Sequence, residues 1–90
     1  MRLDLFLKIS RLVKRRAVAK ELCDGGRVRV AGAHAKPGRE IRPGDVITLR
    51  LSRRVLTVEV AELPAGNVTK ERASGLYRII EDSAAAEEPF

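Results

Sequence analysis

The sequence predicts an α+β domain in which two or three N-terminal helices pack on a small, mostly antiparallel sheet. Three observations predict it. Ninety residues suffice for one hydrophobic core and not for two. Apolar residues recur at helical spacing through the first quarter of the chain. From Arg27 onward the period drops to two, with turn signals between the runs.

In the opening stretch, Leu3, Phe6 and Leu7 stand at helical spacing and Leu5 and Ile9 widen the stripe, giving a first helix. After a turn over 10–14, Val18, Ala19, Leu22 and Cys23 define the apolar face of a second helix. Gly25-Gly26 closes it as a C-terminal cap. Val28 and Val30 then alternate with Arg27 and Arg29, the pattern of a half-buried strand. Lys36-Pro37-Gly38 and Arg42-Pro43-Gly44-Asp45 are turn signals around a short extended piece, and His34 falls in the preceding turn, exposed. Ile47, Leu49 and Leu51 face one way in the next strand. A hairpin at Ser52-Arg53-Arg54 leads to a strand with Leu56, Val58 and Val60 inward. Past Leu63-Pro64 the pattern suggests a short helix and an extended piece. Residues 81–90 read as a flexible acidic tail.

Composition narrows the function. Lys and Arg number 18 against 12 Asp and Glu, a net charge of +6, which points to a polyanionic partner and to nucleic acid before a membrane surface. The charge is graded along the chain: the three successive thirds carry 9, 6 and 3 basic residues against 3, 3 and 6 acidic ones. The basic face therefore belongs to the N-terminal half. No apolar run is long enough to span a bilayer and no secretory leader opens the chain. One cysteine and one histidine can build neither a disulfide nor a four-ligand zinc site, so no metal or cofactor is expected and a cytoplasmic location is. Three aromatic residues are too few for a base-stacking platform, leaving phosphates and shape as what an RNA-binding surface would read.

The second helix breaks a local rule. Lys14, Arg15 and Arg16 crowd its N-terminus, where the helix dipole is already positive, while Glu21 and Asp24 approach its negative end. Arg16 and Lys20, one turn apart, add a like-charge pair that removing Arg16 would relieve, with slight stabilisation. An anion bound at the helix start explains the inversion, since backbone N–H groups and three cations would meet it together. Arg2, Lys8 and Arg11 join from neighbouring turns. Arg27, Arg29 and Lys36 are secondary candidates. Asp4, beside Arg2 and Lys8, is expected to orient those cations, and Cys23 to pack in the core.

The run M-R-L-D-x-F-L-K-x-S-R-L-x-K-R-R-x-x-A-K-E, followed by G-R-V-x-V-x-G, A-K-P and R-P-G-D, resembles the ribosomal-protein-S-four-type RNA-binding domain, or αL motif. Within it, the chain most resembles the small stand-alone bacterial factors of ribosome-associated quality control. The resemblance implies an S-four-type domain over 1–63, an extension packed on it over 64–80, and no catalytic residue. Implied partners are the large ribosomal subunit, its rRNA, peptidyl-tRNA and an RqcH (NEMF-type) factor that adds C-terminal alanine tails, the chain acting as a monomer. Arg2 and Arg16 are the implied principal RNA contacts, with Arg11, Lys14, Arg15 and Lys20 beside them. Two departures stand out: Ala31-Gly32 replaces a common Asn-Gly turn, which implies a looser turn, and Leu5 replaces a common Lys. A heat-shock ribosome-associated protein, a general rRNA-binding assembly factor, an enzyme's RNA-gripping module and a helix-turn-helix DNA regulator are the competing classes. The last needs a dimer.

Overall fold

A computed structural model describes residues 1–66 and 68–84. Helices α1 (Leu3–Ile9) and α2 (Arg16–Asp24) come first. Strands β1 (Val28–Val30), β2 (Ala33–His34), β3 (Val46–Arg50) and β4 (Arg54–Val60) follow. Then α3 (Lys70–Ala73), a 3-10 turn (Ser74–Leu76) and β5 (Tyr77–Ala84) complete the described chain. The strands form one antiparallel sheet in the order β2-β1-β3-β4-β5.

Alternation decides what the sheet buries. The cross-strand rows Val28–Leu49–Leu56 and Val30–Ile47–Val58 share one face and are all buried. Leu3, Phe6 and Leu7 of α1, with Ala19 and Cys23 of α2, complete the core with them. The opposite face carries the polar row Arg29–Thr48–Thr57, in which the two threonine hydroxyls lie 3.4 Å apart. Val18 departs from its expected place on the buried face of α2. It is 40% exposed, because α2 rests on Ala19 and Cys23 and turns Val18 toward a cleft shared with Leu12, Leu22 and Leu51.

Both helix ends of the α1–α2 unit are closed by left-handed residues. Arg11 (φ 62°) stops α1 with its N–H on the Lys8 carbonyl, a conformation that glycine or asparagine adopts at lower cost. Gly26 (φ 72°) stops α2, and the N–H groups of Gly26 and Arg27 bond the carbonyls of Cys23 and Leu22, the Schellman pattern. The β1–β2 turn is tight rather than loose. Ala31 (φ 54°) and Gly32 (φ 81°) both take the left-handed conformation of a two-residue hairpin, pairing Val30 with Ala33. That economy places His34 in β2 opposite Arg29, and not in a turn as its polar surroundings suggest.

The extended segment beyond residue 64 is an integral strand of the sheet. Strand β5 pairs with β4 along its length, with a bulge opposite Thr57/Val58, and it continues through Ala84. Residues 81–84 therefore belong to the sheet and not to a free tail, because backbone pairing with Arg54–Thr57 outweighs their polar composition. The rest of the expected tail, 85–90, lies outside the described residues. Ile79 continues the row of Val58 at the sheet's edge strand and is 55% exposed.

Candidate nucleic-acid interface

The site is built around a buried carboxylate. Asp4 is 2% exposed at the start of α1. Its Oδ1 accepts from Arg2 Nε at 3.2 Å and from the Leu5 backbone N–H at 2.9 Å, and its Oδ2 accepts from Arg16 Nε at 3.2 Å. Burial pushes the Asp4 carboxyl up. The Arg16 hydrogen bond, the Leu5 N–H, the Arg16 charge and the Arg2 hydrogen bond outweigh that and hold it below its ordinary value. Asp4 thus orients cations as its neighbours suggested, but the partners are Arg2 and Arg16, twelve residues on, and not Lys8. Arg16 is also no source of repulsion to be relieved. It sits on a buried anion, which removes the physical basis for stabilisation by Arg16→Ala.

Backbone bonds hold Arg2 in place. Arg2 bridges Glu40, the N–H groups of Leu3 and Asp4 donate to the carbonyls of Arg39 and Pro37, and the amino terminus donates to Glu40 at 2.9 Å. The loop 35–39 is thereby laid across the start of α1. Helix α2 starts without help: Arg15 occupies its N-cap in extended conformation with no side-chain hydrogen bond, and its first turn holds no acid. The short α3 has an ordinary cap, Thr69, accepting from the Arg72 N–H. The inverted charge pattern read from the sequence is therefore real in three dimensions.

The expected RNA-binding cations do not share one surface. Arg2, Lys20 and Lys36 line one groove of about 640 Å³, floored by Ala35, Pro37 and Gly38. Arg16 is joined to this group through Asp4. Lys8, Arg11 and Lys14 line a second cleft, of about 380 Å³, at the other end of α1. Arg15 is exposed at the start of α2 and lines neither. Arg27 stands with Arg50 at the apolar cleft beside Val18, and Arg29 is half-buried on the outer face of the sheet. Sequence reasoning missed three groove residues: Arg39, His34 and Asp24. Cys23 is buried behind the groove, and desolvation, with Asp4 and Asp24 nearby, pushes its thiol up to about 11. No group of three or more metal-ligating side chains occurs among the described residues, and no helix among them is long and apolar enough to cross a membrane.

Two helices laid on an antiparallel sheet, with a cation-lined groove between the start of α1, the C-terminal half of α2 and the 34–39 segment, define a small S4-domain protein; the S4 domain family matches residues 1–47, both helices and the β1–β2 hairpin included. The chain is 44% identical over 87 residues to the RQC P-site tRNA stabilizing factor of Bacillus subtilis, covering 97% of this chain and all of that one. It is 47% identical over 79 residues to the factor of the same name from Halalkalibacterium halodurans, covering 88% and 89% of the two chains. The chain belongs to this family of S4-domain proteins. Its fold is also that of Vibrio cholerae heat shock protein 15, solved as a trimer, with a TM-score of 0.82 at 32% identity over 88% of this chain and 80% of that one. Escherichia coli heat shock protein 15 is 31% identical over 98% of this chain and 66% of its own length.

Proposed function

We propose that this chain is a non-catalytic RNA-binding factor of bacterial ribosome-associated quality control. In this reading it binds rRNA and peptidyl-tRNA on stalled large ribosomal subunits, and so works in the cytoplasm. It supports C-terminal alanine tailing beside an RqcH-type partner and acts as a monomer without a cofactor. The observation that carries the reading is the cationic groove, whose Arg2 is held together with Arg16 beside it by the buried Asp4, within a chain matching the tRNA stabilizing factors along nearly its whole length. Fixed, planar guanidiniums present phosphate-matching donors at small entropic cost. Lys20, Lys36 and Arg39 add exposed charge along the same groove.

The test is recovery of the tagged chain from bacterial cells, scoring large subunits, peptidyl-tRNA and the RqcH-type factor. The control is the triple variant Lys20→Ala/Lys36→Ala/Arg39→Ala, whose sites are exposed and make no ion pair among the described residues. Large subunits carrying peptidyl-tRNA, lost in the variant, are the expected result. Large subunits with stranded chains but no RqcH-type factor would instead support the alternative reading, a heat-shock ribosome-associated factor that recycles large subunits with stranded nascent chains. Free rRNA without peptidyl-tRNA would make the chain a general assembly factor.

A further inference from the structure

We propose that the groove beside Arg2 receives an unpaired guanine base and that Asp24 reads it. The inference rests on the RNA-binding reading and names what that site takes. Its starting point is an acid among cations. Asp24 lines the groove together with Arg2, Lys20 and Lys36, yet it makes no ion pair among the described residues. It is the last residue of α2, where a negative charge opposes the helix dipole. A groove serving phosphates alone gains nothing from a carboxylate, which repels them. A carboxylate does suit a ligand edge offering two parallel N–H donors. Among the RNA bases, guanine offers that edge, through N1–H and the 2-amino group, while adenine and cytosine each offer one amino group.

The remainder of the groove suits a base as well as a backbone. Ala35, Pro37 and Gly38 line it between the cationic side chains, giving it a small, flat apolar strip. Arg2 is held by its Nε on Asp4, with Cζ and Nη2 each 3.7 Å from where a Cβ on Gly38 would sit. Such an oriented guanidinium plane can stack on a base face, the role aromatic side chains fill in other RNA-binding folds. The groove's volume of about 640 Å³ falls in the size class of small-ligand sites. Lys20, Lys36 and Arg39 are then placed to meet the flanking phosphates.

The experiment is equilibrium binding of the full chain to short oligoadenylates carrying one central guanine, hypoxanthine or adenine. It compares the wild type with Asp24→Asn and with Lys20→Ala. The wild type is expected to prefer guanine over adenine about tenfold or more. Hypoxanthine, lacking the 2-amino group, should fall between. Asp24→Asn should erase the preference and leave adenylate binding equal or tighter. Lys20→Ala should weaken all three strands alike and keep the preference. Melting of each variant checks that the fold is retained, and Asp24→Asn should not melt lower because it removes a charge from the wrong end of α2. Equal wild-type affinity for the guanine and adenine strands, or a preference that survives in Asp24→Asn, overturns the proposal while leaving RNA binding standing. No binding of any strand at low salt overturns both.

Discussion

Asp4 does more for this site than any single cation. A carboxylate 2% exposed and hydrogen-bonded to two arginines and a backbone N–H is stabilised in its charged form, and it converts two long side chains into fixed ones. Arg16→Ala removes one of those hydrogen bonds, and the expected cost is about 1–2 kcal/mol in stability, measured by denaturant unfolding. The sign with pH follows from the lowered carboxyl. Its contribution to stability is fully present above the ordinary value of 3.8 and is lost as pH falls through the lower folded value. Unfolding of wild type and Asp4→Asn followed from pH 6 down to pH 2 should therefore show a gap that closes at the acid end. A gap constant across that range would mean the charge of Asp4 does not matter to the fold.

At the scale of elements, left-handed residues govern how the pieces meet. Ala31 occupies a left-handed position that costs a non-glycine residue about 1 kcal/mol, in a turn whose partner Gly32 pays nothing. Ala31→Asn is expected to raise stability by about 0.5–1 kcal/mol, read as a higher melting temperature, with RNA affinity unchanged because the turn lines none of the clefts. The helices and strands themselves were legible from period alone: Leu3, Phe6 and Leu7 announce α1, and Leu56, Val58 and Val60 announce β4. Val18 was misplaced because the helical stripe is wider than the surface α2 actually covers. Glu81, Asp82 and Ser83 carry no alternation and so resemble a tail in sequence, and only pairing with β4 makes 81–84 a strand.

On the scale of the whole molecule, the family match stops at residue 47 while the core does not. Leu56, Val58, Val60 and Leu76 are all buried in or against it, and the Leu76 carbonyl accepts from the Ala61 N–H at 2.8 Å. A domain of this size has little stability in reserve, so Leu76→Ala, expected to cost about 2–4 kcal/mol, should leave a substantial unfolded population by calorimetry or urea titration. A loss well under 1 kcal/mol would show that β5 and its preceding turn are an appendage. The sheet beyond β3 thus shares one core with the helices.

The sequence by itself determined the α+β class, the elements α1, α2, β1, β3 and β4, the basic N-terminal half and the reversed charges of α2. These are local properties, written in the spacing of neighbouring residues and in their charge. Tertiary structure alone decided which cations share a surface. It joined Arg2 to Arg16 through Asp4, sent Lys8, Arg11 and Lys14 to a separate cleft, and brought Arg39, His34 and Asp24 into the groove. The physical reason is that a charged side chain has no period. Its neighbours depend on where the chain returns, and here the backbone bonds from Leu3 and Asp4 to Arg39 and Pro37 carry the loop back across the start of α1.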